Sequence, residues 1–100
     1  MQIETRGPIE IIVVSHGWVV VGVVVDDGRD SREMLLGYAH SIDRWGTTEG
    51  LAQLCHEGPR RDTRLRSMAP HAAQLRINRE HVKFCLTCDP EKWAGKLGVK

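Results

Sequence analysis

One hundred residues, 41% apolar and 27% charged, make one domain (1–100) with a single modest core and exclude both overall disorder and a second domain. The net charge of +1 is unevenly spread. Residues 1–58 hold nine acids against four Lys and Arg, and residues 59–100 hold four acids against ten, an asymmetry that bears on association more than on fold.

The opening MQIETRGPIE carries charge where a signal peptide would have its apolar stretch, so a cytoplasmic protein is expected. Three cysteines, Cys55, Cys85 and Cys88, follow no framework spacing and read as reduced thiols. Two strands come first, Ile9–Ser15 and Trp18–Asp26, around a two-residue turn at His16-Gly17. The second is apolar at nearly every position and rich in valine, which predicts a central strand buried on both faces. Gly22 marks a bulge or sharp bend within it. The apolar run Val19–Val25 is far too short to span a bilayer as a helix, so no membrane partner is expected; a homodimer is a second use for that face.

Arg32–Trp45 alternates with period two and predicts a long third strand that bends at Gly37. Met34, Leu36, Tyr38 and Ile42 fall on one side, with Leu35, Gly37, Ala39 and Ser41 on the other. His40 sits among apolar neighbours, where a hydrogen-bonded structural histidine is expected. The period then changes. Thr48, Leu51, Leu54 and Cys55 share a helical face, Thr47 suits an N-cap, and Gly58-Pro59 stops the chain, so the main helix is predicted over Thr48–Glu57. A basic connection follows, with a short strand near Thr63–Met68. The segments HAAQLRIN and HVKFCLTC predict two more strands around a turn at Arg79-Glu80, and Asp89-Pro90 starts a short C-terminal helix. The fold class is α+β: a strongly bent antiparallel sheet of about five strands, either a small SH3-like barrel or an open sheet, with one main helix and a short terminal one.

Four groups of residues carry candidate chemistry. Cys85-x-x-Cys88, with Cys55-His56 and His81, is half of a zinc site, but an alternating strand points the two thiols to opposite faces. Buried cysteines acting as small hydrophobes are the favoured reading, with no metal and no cofactor. Serines, cysteines and histidines are present, but no nucleophile elbow or usable spacing accompanies them, so no catalytic residue is assigned and a non-enzyme is expected. Arg60, Arg61, Arg64 and Arg66 form the strongest electrostatic feature and suit carboxylates or phosphates through bidentate contacts. Nucleic-acid binding would ask for exposed aromatics among the basic residues, and none lies between residues 46 and 83, so a partner-binding surface is preferred. Arg44, Gly46, Thr47 and Thr48 form a Gly- and Thr-rich helix entry, where free amides suit an anion or nucleotide. The glycines and the Lys-Ser/Thr pair of a phosphate loop are missing, which favours simple capping.

The segment IDRWGTTEGLAQLCHEGPRRDTRL, with WVVVG before it and CDPEKW after it, resembles a group of short phage- and prophage-encoded proteins. They share a Trp-Gly-Thr-Thr-x-Gly-Leu core followed by Gly-Pro, and the likeness runs from about Ile11 to Trp93. It implies a host bacterial cytoplasm and no enzymatic residues to carry over. The expected function is that of a non-enzymatic phage accessory protein, of the host-takeover or anti-defence type, binding a host macromolecule, first of all a host protein. Sequestration of a small anionic ligand at Gly46–Gly50 is the alternative, and nucleic-acid binding a further one.

Overall fold

A computed structural model describes residues 7–68 and 74–99. Strand β1 (Ile9–Val14) pairs antiparallel with β2 (Trp18–Asp26). A three-residue 3-10 turn, Ser15–Gly17, joins them in place of the expected two-residue loop, with His16 and Gly17 at φ 68° and 84°. Strand β3 (Glu33–Arg44) pairs with β2, and its other edge is shared by two short strands. β4 (Arg64–Ser67) takes the C-terminal half and β5 (Leu75–Asn78) the N-terminal half. β6 (Val82–Thr87) lies on the free edge of β1. The helices are α1 (Leu51–Glu57) and α2 (Pro90–Leu97). The first residues of the HAAQLRIN segment lie outside the described residues.

Among the described residues the sheet has six strands, and of the two expected forms it takes the open one. Its curl follows from two contacts of the turn Arg79–His81. The Ser15 hydroxyl donates to the His81 carbonyl at one end of β2, and the Arg79 amide donates to the Arg32 carbonyl beyond the other end. A straight nine-residue strand would hold those ends roughly 26 Å apart, whereas three residues reach about 7 Å. The sheet must roll, and bulges let it. The β2–β3 register skips at Gly22, where a Cβ would stand 2.9 Å from the Gly37 carbonyl oxygen. Barrel closure fails because β4 and β5 divide one edge of β3 and neither pairs with β6.

Both faces of β2 are buried, as its composition predicts. Val19, Val21 and Val23 join Ile9, Ile11, Leu54 and Trp93 under the helices. Val20 and Val24 join Ile12, Met34, Leu36 and Ile77 inside the curl. Strict alternation in β3 breaks where Tyr38 adopts φ 51°. Met34, Leu36 and Ala39 face the inner cluster while Ile42 faces the helices, so Tyr38 is exposed instead of sharing their side. His40 is buried, with Nδ1 2.9 Å from the Tyr38 carbonyl oxygen. A second phase change, in β6 opposite Val13 and Val14, leaves Phe84 exposed.

α2 starts as its sequence predicts, with the Asp89 side chain accepting from the Glu91 amide and Pro90 in the first turn. It buries Trp93, whose indole N–H donates to the carbonyls of Leu54 and Cys55 at 3.1 and 3.2 Å. Both carbonyls lie near the end of α1; that of Leu54 also accepts from the Gly58 amide, and that of Cys55 from the Asp89 amide. α1 stops at Gly58, whose Cβ would collide with Lys92 of α2.

Candidate functional site

Arg44 ends β3 and stands in register with Arg64 on β4, while Arg66 lies opposite Ser41. Trp45 follows Arg44 and is 41% exposed. Gly46 then turns the chain at φ 71°, so tightly that a Cβ would stand 2.4 Å from the Asp62 carbonyl carbon and the Thr63 nitrogen. This close approach joins two stretches that look unrelated in sequence. Gly46, Thr48, Glu57, Arg60, Arg61 and Asp62 line one recess of about 500 Å³. The expected anion residues and the expected partner-binding arginines are thus one basic corner.

Thr63 holds that corner together. Its hydroxyl accepts from the Arg60 amide at 2.8 Å and donates to the Trp45 carbonyl at 2.7 Å. The Thr63 amide returns a bond to the Arg60 carbonyl. Sequence reasoning passed over Thr63, although the Arg-Asp-Thr turn contained a signal, since hydroxyl side chains close turns on their own backbone.

The helix entry departs from expectation. Gly50, at φ 90°, is the N-cap, and α1 begins at Leu51. The Thr47 hydroxyl donates to the Gly50 carbonyl and caps no amide. The amides of Thr48 and Glu49 both donate to Oε1 of Gln53, at 3.1 and 2.9 Å. The amides of Thr48 and Glu49, two of the donors expected for an anion, are thus taken by the side chain of Gln53 in the first turn of α1. Thr47 therefore does not cap α1; Gly50, three residues later, holds the N-cap position.

The charges of the corner are unequally matched. Arg60 pairs with Glu57 at 2.6 Å and Arg66 with Asp43 at 3.3 Å. Among the described residues no carboxylate lies within 4.0 Å of the guanidinium of Arg44, Arg61 or Arg64. Arg64 donates instead to the Arg61 carbonyl at 3.5 Å. Like charges directly opposite on a strand pair oppose folding by roughly a few tenths of a kcal/mol, so the Arg44–Arg64 pairing contributes nothing to stability.

The chain matches no protein-family model and no curated protein.

The cysteines make a second feature. Cys85 packs in the inner cluster and Cys88 under the helices, on opposite faces as the alternation predicts. No group of three or more His, Cys, Asp or Glu side chains is placed to hold a metal among the described residues. Cys88 does meet a thiol, that of Cys55 on α1. The neighbouring Cys88 thiol holds the Cys55 pKa below its usual range, while the Cys55 thiol, with burial, pushes the Cys88 thiol far up. Burial, and then the Glu10 carboxylate, raises Cys85. His56 and His81 are exposed, and the Ser15 hydroxyl reaches the His81 backbone carbonyl. No helix among the described residues is long and apolar enough to cross a membrane.

Proposed function

We propose that the protein is a non-enzymatic accessory protein of phage type that works by binding, and that the basic corner docks on an acidic surface of a host protein. One observation carries this reading. Arg44 and Arg64 face each other across β3 and β4, Arg61 lies in the turn just before β4, and none of the three has a carboxylate partner among the described residues. Guanidinium groups so held are preorganised donors for carboxylates. The phage resemblance of the Trp45–Leu51 core supports the class of protein, and the bacterial cytoplasm goes with it.

The test is affinity capture from nuclease-treated bacterial lysate with the wild type and with Arg61→Glu/Arg64→Glu. A protein retained by the wild type at low salt, and lost from the double variant, is the expected result. Equal retention by both removes the corner from the interaction.

Nucleic acid is the second reading, and the exposure of Trp45 favours it. The aromatic missing from the basic stretch of sequence stands beside Arg44, next to the arginines in space. Three phosphate contacts would give a log-log salt slope of about −2.7 on duplex DNA. Binding of that steepness in a mobility assay, together with capture that nuclease abolishes, would select nucleic acid over protein.

A further inference from the structure

We propose that Cys55 and Cys88 are a reversible peroxide-oxidation site, closing to a disulfide that ties α1 to the junction of β6 and α2. The inference is independent of what the basic corner binds.

Three observations support it. Both sulfurs lie against one oxygen, the Leu86 carbonyl, at 3.8 and 3.9 Å. The Asp89 amide donates to the Cys55 carbonyl at 3.1 Å, which keeps the two Cα atoms within roughly 8 Å by standard backbone dimensions. Both cysteines also line one recess, so their side chains open on the same space, as a disulfide between them requires. Cys85, on the other face of the sheet, is excluded.

Access sets the oxidant class. Cys55 and Cys88 line a recess of about 360 Å³, yet the residues are only 5% and 3% exposed. A small uncharged peroxide reaches such sulfurs and a tripeptide disulfide does not. Cys55 is the attacking thiol, because the neighbouring Cys88 thiol lowers its pKa and favours its thiolate. Its sulfur attacks one peroxide oxygen, the O–O bond breaks, and a sulfenic acid and hydroxide form. The Cys88 sulfur then attacks the Cys55 sulfur. The S–S bond forms, the sulfenic hydroxyl leaves, and it departs as water with the Cys88 proton. In sum two thiols and hydrogen peroxide give one disulfide and two waters, and a thiol reductant reverses the step.

The chain between the two cysteines carries Arg60, Arg61, Arg64 and Arg66, so the bridge closes the loop that bears the basic corner. Such closure restricts the unfolded chain and raises the thermal midpoint.

The experiment treats the native full-length protein with hydrogen peroxide, then acid-quenches, denatures, alkylates and maps it by mass. Cys55 and Cys88 should be linked and protected from alkylation while Cys85 is alkylated, and reductant should restore all three thiols. The thermal midpoint should rise on oxidation in the wild type and in Cys85→Ser, and stay unchanged in Cys88→Ser. Alkylation of all three cysteines after peroxide, a bridge through Cys85, or sulfinic acid at Cys55 without a bridge would overturn the proposal. A glutathione adduct formed under native conditions would overturn the choice of a small oxidant. Because the mapping is done on the wild type, poor folding of a variant does not shield the idea.

Discussion

Along one edge of β3, the N-terminal half accepts β5 and the C-terminal half accepts β4, yet the two halves treat their arginines differently. On the β5 side, Arg76 reaches Oε1 of Glu33 through two nitrogens, at 2.9 and 3.3 Å. On the β4 side, Arg66 finds Asp43, but Arg64 stands opposite Arg44. Backbone pairing is of the same antiparallel kind in both halves, so strand formation does not require the like-charge pair. The difference separates charges that help the fold from charges that burden it slightly.

The largest expected effect distinguishes the two halves through their glycines. Gly46→Ala should cost about 3 kcal/mol or more in chemical denaturation, because positive φ and a backbone collision act together. Gly37→Ala, whose Cβ would meet only Val25 Cγ2 at 3.7 Å, should cost less than about 1 kcal/mol. Equal losses would break the contrast. Next, Thr63→Val keeps the shape of the side chain and removes both hydroxyl bonds; a loss of about 2 kcal/mol is expected in the same measurement. Arg64→Glu sharpens the comparison most, since stability and binding should part company. Facing Arg44, the new carboxylate should stabilise by a few tenths of a kcal/mol, while affinity for an acidic partner falls about tenfold or more in a titration. A variant that loses both in parallel would make the pair structural after all. Smallest is Glu33→Gln, which weakens an exposed pair and should cost about half a kcal/mol or less.

Much of the fold was legible because period and punctuation survive in the residues. The valine run of β2 needed two buried faces, Gly58-Pro59 had to stop α1, and Asp89-Pro90 had to start α2. The misreadings sit where a single backbone angle resets the phase. Tyr38 at φ 51° reverses the faces of β3, and no residue type announces that, since tyrosine seldom takes such an angle. Thr47 looked like a cap because Ser and Thr usually are caps. A glutamine oxygen reaching back over the entry displaced it, through a contact four and five residues along the chain.

The candidate site divides in the same way. By itself the sequence determined that seven positions from Arg60 to Arg66 carry four arginines, that Gly46 lies in a Gly- and Thr-rich helix entry, and that Cys85-x-x-Cys88 supplies only half of a zinc site. Only the tertiary structure decided that Arg44 faces Arg64, that Gly46 packs on Asp62 and Thr63, and that Cys88 meets Cys55 instead of Cys85. These are contacts between distant segments. Composition and period describe which face of its own strand or helix a residue occupies. Register and curl, which a few bulges set, choose the residue it meets there.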